Sequence, residues 1–152
     1  MDKVTGFVTG VNGNLVSATF SGSVRKNEVG YVLVDGERLK GEVIRVNGDT
    51  ASMQIYEMTG GIRVGDKVEL SGDLMSVELG PGLIKSIYDG IQRPLFKIME
   101  ATGSNLLPRG VEVPSLDRAA KWHFVPVAKP GDALVPGDVL GTVQETPVIV
   151  HK

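Results

Sequence analysis

Residues 77–95 read VELGPGLIKSIYDGIQRPL, and the rest of the chain divides about them. Five turn formers, Gly80, Pro81, Gly82, Gly90 and Pro94, punctuate an apolar set at helical spacing: Leu79, Leu83, Ile84, Ile87, Tyr88, Ile91 and Leu95. Glycine frees the backbone and proline fixes it, so this punctuation predicts a joint that holds two bodies at a defined angle. With Asp89 and Arg93, those five residues form the candidate structural site. Short strands are predicted before the joint, and a helix and a second β-rich piece after it. The expected fold class is therefore mainly β: a small antiparallel barrel, a short helical junction, then a β-rich segment.

Upstream, Val4, Val8 and Val11 precede Asn12-Gly13-Asn14, and Leu15, Val16, Ala18 and Phe20 follow it. Asn-Gly between alternating runs signals a hairpin. Further strands are predicted over 29–34, 39–46 and 51–56, closed by Asp35-Gly36 and Asn47-Gly48-Asp49. In the last of these, Ala51, Met53 and Ile55 share one face and Ser52, Gln54 and Tyr56 the other. Short runs at 62–64 and 68–70 follow. Recurrent tight turns predict a closed barrel over residues 1–74, a form that removes sheet edges.

Downstream, residues 94–101 predict a helix. Pro94 suits the first turn, Leu95, Ile98 and Met99 form the apolar stripe, and Gly103 is the stop. Residues 104–117 read as loop and weak strand. Strand is expected at 121–127 (KWHFVPV), with Trp122 and Phe124 in a core. Residues 139–143 and 146–150 read as two arms of a hairpin. Between them and the previous strand, KPGDALVPGDVLGTV (129–143) carries two Pro-Gly-Asp turns six residues apart, with 133–135 extended. That pattern resembles the barrel-sandwich fold of biotinyl and lipoyl carrier domains. Their modified lysine has no counterpart in 144–147, and Lys152 is the only later one, so the shape is expected without the carrier chemistry. The apolar run 148–150 ends two residues before the C-terminus, which reads as an interrupted chain, whereas Met1 reads as a true start.

A formal net charge of −2 offers no basic surplus for a nucleic-acid backbone, so an RNA-binding small barrel is disfavoured. No cysteine is present, which excludes disulfides and thiolate metal sites. No apolar run reaches the length of a signal peptide or a membrane span. Residues 80–86 imitate a phosphate-binding loop and fail its rule: Ile84, not glycine, precedes Lys85-Ser86, and Pro81 lacks an N–H. His123 and His151 have no carboxylate at ligand spacing. Asp89 could act as a base, but a residue satisfying backbone N–H groups is the better expectation. No catalytic, cofactor-binding or metal residue is expected in these 152 residues.

Three long stretches carry a family resemblance: GEVIRVNGDTASMQIYEMTGGIRVGDKVELSG (41–72), SVELGPGLIKSIYDGIQRPL (76–95) and KWHFVPVAKPGDALVPGDVLGTVQET (121–146). The chain resembles the N-terminal part of the catalytic A subunit of V-type and A-type rotary ATPases. The resemblance implies a barrel over 1–74, a junction and helix over 75–109 leading to the nucleotide-binding core, and an inserted bulge domain from 110, cut off at 152. It implies a whole subunit that couples ATP hydrolysis or synthesis to proton or sodium transport, using ATP, ADP and Mg outside these residues. It also implies partners: B subunits in an alternating A3B3 hexamer, the central stalk, and the peripheral stalk through the inserted domain. The membrane is touched only through the complex, and the location is cytoplasmic. The competing expectation is a stand-alone barrel-sandwich binding module.

Overall fold

The computed structural model describes residues 4–104 and 106–152. Two compact units form: one holds the residues through Ser76 together with Leu106–Glu112, the other Val77 through the helix together with Val113–Lys152.

The first unit is a closed antiparallel barrel of six strands: β1 Thr5–Asn12, β2 Leu15–Phe20, β3 Glu28–Val34, β4 Glu37–Asn47, β5 Thr50–Ile55 and β6 Lys67–Leu74. Their order is β1-β2-β5-β4-β3-β6, and β6 closes the ring by pairing with β1. Each tight hairpin places a positive φ where the twist of the strands demands it. Asp35 and Gly36 both take it between β3 and β4, and Gly13 and Gly48 open the other two turns. Alternation then sends one face of every strand inward. Val8, Val16, Ala18, Val32, Leu39, Val43, Ala51, Met53, Ile55, Val68 and Leu70 are all 1% exposed or less. Each large side chain among them contributes about 1.5–3 kcal/mol by leaving water. The barrel is narrow enough that a Cβ on Gly30 would stand 2.5 Å from Met53 Cε. The run at 62–64 is not a strand. It is a turn, with Asp66 Oδ2 accepting from Arg63 N at 2.7 Å and Val64 71% exposed.

After the helix the chain returns to this barrel. Arg109 Nε meets Glu37 Oε2 at 2.6 Å, and its guanidinium donates to the carbonyl of Gly60. Gly110 N donates to Glu57 Oε2 at 2.5 Å, and Glu112 lies beside Tyr31, under Arg38.

The second unit holds α1 Leu95–Thr102 and a three-stranded antiparallel sheet: β7 Phe124–Pro126, β8 Gly141–Thr146 and β9 Ile149–His151, with β8 central. Pro94 sits one place before the helix, as its extended N-cap (ψ 107°), and not in the first turn. Gly103 ends it in the left-handed region (φ 64°) and donates to Met99 O at 2.8 Å. Of the expected stripe only Ile98 is fully buried.

The strand at 121–127 shrinks to three residues, 133–135 joins no strand, and 104–117 contains no strand among its described residues. The two Pro-Gly-Asp turns explain the second loss. Asp132 and Asp138 each accept from the N–H three residues earlier (Lys129 and Val135, 2.8 and 2.9 Å), which spends those donors locally. The terminal hairpin turns at Pro147-Val148, not at 144–145, because β8 runs three residues past the expected arm. Trp122 and Phe124, expected in a core, are 36% and 52% exposed: three short strands supply one layer and no second sheet to cover it.

Candidate functional site

The joint at 77–95 is not helical, despite the spacing of its apolar residues. Its backbone folds back as a small hairpin. Leu95 N donates to Ile87 O at 3.0 Å, Tyr88 and Pro94 form an antiparallel bridge, and Asp89 N donates to Arg93 O at 3.2 Å. The loop is Gly90-Ile91-Gln92. Gln92 N returns to Asp89 O at 3.1 Å, and Gln92 takes φ +61°. A turn followed by one left-handed residue is the standard three-residue hairpin loop. Glycine usually fills that last place; here glutamine does.

Three of the expected joint residues organise this loop. Asp89 Oδ1 accepts from Ile91 N (3.1 Å) and Arg93 N (2.8 Å), and Oδ2 pairs with Arg93 Nε at 2.7 Å. Burial pushes the Asp89 carboxyl up, but the Arg93 and Ile91 N–H groups and the Arg93 guanidinium outweigh it and hold it below the ordinary range. Pro94, buried, starts the helix. Gly82 has φ +100°, which only glycine takes without strain. Gly80 has an ordinary φ, and a Cβ there would touch Leu116 Cδ1 at 3.0 Å. Gly90 also has an ordinary φ, with open space where a side chain would stand.

Residues that sequence reasoning missed lock the loop in place. The Gln92 amide pairs with the Glu78 backbone in both directions: Glu78 N donates to Oε1 and Nε2 donates to Glu78 O, each at 2.6 Å. The Glu78 carboxylate accepts from Leu116 N at 3.2 Å and pairs with Arg118. Tyr88 Oη donates to Ser115 O (3.0 Å), and Ser115 Oγ donates to Gln92 O (2.9 Å). Ser115, Leu116 and Arg118 lie more than twenty residues from their partners in sequence, so no local pattern announces them.

Beside the joint, Leu79, Gly80 and Pro81 face Phe124, Leu140, Gly141, Val143 and His151 across a cleft of about 400 Å³. Glu145 on β8 has its side chain 0% exposed, and its Oε2 meets Nε2 of His151, one of the cleft residues. Burial raises this carboxyl. The His151 hydrogen bond and charge and the N–H groups of Gly82 and Ile84 lower it further, so it stays below the usual range. Oε1 closes no hydrogen bond of normal geometry.

The N–H groups of the glycine-rich stretch face a carboxylate, and Pro81 has none to give. Among the described residues no group of three His, Asp or Glu side chains gathers to hold a metal ion. No helix among them is long and apolar enough to cross a membrane. The hydrogen bonds hold the loop at 90–92, the start of the helix and the segment at 115–118 against one another.

Two family models match the chain. The "ATP synthase alpha/beta family, beta-barrel domain" covers residues 8–72, and the "ATPsynthase alpha/beta subunit barrel-sandwich domain" covers 113–152. The chain is 54% identical over 145 residues to the V-type ATP synthase alpha chain of Treponema denticola, which is 95% of this chain and 24% of that one. It is 52% identical over 149 residues to the catalytic A subunit of the V-type proton ATPase of Neurospora crassa, 97% of this chain and 24% of the other. To the A subunit of the A-type ATP synthase of Methanococcus maripaludis it is 50% identical over 149 residues, 98% and 25%. The chain thus spans about a quarter of the length of the curated relatives it matches. With a closed barrel where the first match falls and a small sheet where the second falls, the chain belongs to the ATP synthase alpha/beta family, as a stretch of the alpha chain of a V-type or A-type enzyme.

Proposed function

We propose that these residues are the non-catalytic, positioning part of a rotary ATPase subunit that hydrolyses or makes ATP and couples this to proton or sodium transport. The barrel serves as a fixed ring element among alternating A and B subunits. The segment at 75–109 leads into the nucleotide-binding core, and the inserted piece from 110 reaches the peripheral stalk. ATP, ADP and Mg bind elsewhere in the subunit, and no residue of this stretch touches them. The complex sits on the cytoplasmic side of the membrane and meets it only through its other subunits.

The observation that carries this reading is the pairing of a closed, fully packed barrel with a joint fixed by long-range hydrogen bonds. Such a pair suits one end held still while the other moves about a defined connection. The test is to capture the native protein from source cells with an antibody against this chain. The expected product is a band several times larger than 16.2 kDa, with ATPase activity and a second subunit of similar size. A lone band at 16.2 kDa without a partner would overturn the reading.

A further inference from the structure

We propose that Asn47 is a site of spontaneous covalent modification: its side-chain amide closes on the backbone nitrogen of Gly48, sheds ammonia, and opens with water to aspartate or isoaspartate. The same dipeptide at Asn12-Gly13 is braced against the reaction.

These are the two Asn-Gly pairs of the chain. Each closes a two-residue hairpin loop: Asn47 pairs with Thr50 across Gly48-Asp49, and Asn12 with Leu15 across Gly13-Asn14. Gly48 and Gly13 have φ of 62° and 61°, and all residues of both loops are exposed. Among the described residues neither glycine N–H donates a turn or loop hydrogen bond. Chain neighbours apart, no heavy atom stands within 4 Å of where a side chain on either glycine would be. Each nitrogen is thus unshielded and free to meet the amide before it.

In the step itself the Gly48 nitrogen gives its proton to solvent and attacks Cγ of Asn47. The new C–N bond closes a five-membered imide as the Cγ–Nδ2 bond breaks, and the amide nitrogen leaves as ammonia. Water then opens the imide at either carbonyl. One product is aspartate, a new charge beside Asp49. The other is isoaspartate, which routes the main chain through the side-chain carbon and lengthens a loop that fits the Asn47–Thr50 pair as it is.

The two loops differ in what holds them. Gly13 O accepts from Thr59 Oγ1 at 2.7 Å and Asn14 O from Ile55 N at 2.8 Å, so both loop residues are fixed. In the other loop Asp49 O accepts from Phe20 N at 2.9 Å, while among the described residues the Gly48 carbonyl receives no turn or loop bond. The last four residues of β4, Ile44 to Asn47, are exposed, against two at the end of β1. The β4–β5 tip therefore opens at lower cost, and ring closure needs that opening.

The experiment is to age the chain at mildly alkaline pH, folded and in guanidinium chloride, and to follow conversion at each asparagine by peptide mapping with mass spectrometry. In the folded chain Asn47 should convert about fivefold faster than Asn12, the factor set by one further hydrogen bond to open. In denaturant the two rates should converge. Thr59→Ala, which removes the brace on Gly13, should raise the Asn12 rate toward that of Asn47. An Asn12 that keeps pace with Asn47 in the folded parent overturns the proposal, as does an Asn47 that stays intact when folded. An Asn12 rate unmoved by Thr59→Ala overturns the brace.

Discussion

Gln92 is the sharpest place to test the joint, because two opposing effects meet at one residue. Its φ of +61° is a left-handed conformation that costs a non-glycine residue about 1–2 kcal/mol. Its amide makes two hydrogen bonds of 2.6 Å to the Glu78 backbone. At a net of about 0.5–1.5 kcal/mol each, they contribute about 1–3 kcal/mol, enough to offset the strain. Gln92→Ala keeps the strain and loses both bonds, so it should destabilise the second unit by about 2 kcal/mol. Gln92→Gly loses the same bonds but relieves the strain, and should recover about 1 kcal/mol of that loss. Urea unfolding followed by Trp122 fluorescence is the assay, since the single tryptophan lies in this unit. With a slope of about 1 kcal/mol per molar for a body this small, the alanine variant's midpoint should fall by about 2 M and the glycine variant's by about 1 M. An alanine variant as stable as the parent would refute the bond argument. A glycine variant less stable than the alanine one would refute the strain argument.

Four other outcomes follow. Arg109→Ala should free the return segment, raising exchange at 106–112 in hydrogen-exchange measurements; because the Arg109–Glu37 pair is partly exposed, the barrel should lose only about 1 kcal/mol in urea. Asp89, with its carboxyl held below the ordinary value, stabilises the joint above about pH 4, and that contribution disappears as pH falls through the lower folded value. Asp89→Asn should therefore flatten the acid limb of an unfolding-versus-pH curve. Burial, aided by Glu112 at Tyr31 and by the 2.5 Å bond to Glu42 at Tyr56, pushes both phenols up to about 12. Their stabilisation is full below about pH 10 and lost as pH climbs through about 12, which ultraviolet difference titration would follow. Gly90→Val meets nothing within this chain, so circular dichroism of the isolated chain should be unchanged, while turnover of an assembled complex should drop if a neighbour packs there.

The barrel was legible because its signals are local. Ala51, Met53 and Ile55 alternate in sequence and are buried in the structure, and Asp35-Gly36 names its own turn. The helix was legible at its end, where Gly103 has the left-handed φ that a stop requires. The joint misled. Its apolar residues have helical spacing, but Ile84 and Ile87 are 54% and 55% exposed, and the Asp89 carboxylate takes the N–H groups a helix would use. Gln92, Glu78 and Ser115 were invisible because each acts on a partner distant in the chain. The return of 106–112 to the barrel carries no periodic pattern either. It depends on one guanidinium and one glycine N–H finding carboxylates about fifty or more residues away.

The two buried glutamates obey one rule that periodicity cannot express. Glu28 sits where the β3–β6 register shifts, and Glu145 where the β8–β9 register shifts. At each bulge the ladder is interrupted, so an N–H nearby lacks a strand partner and a side chain leaves the alternation. A carboxylate in that position resolves both problems. Glu28 accepts from Gly72 N at 3.0 Å and from Arg25 N at 3.1 Å, at the seam beside the strand that closes the ring. Glu145, unopposed at its bulge, meets His151 of the neighbouring strand. Each acid thus stands at an interrupted ladder, Glu28 stabilised by the N–H groups it serves and Glu145 by the imidazole beside it. Glu100, exposed within the helix, meets no interrupted ladder, so a neutral residue there would leave no N–H unserved.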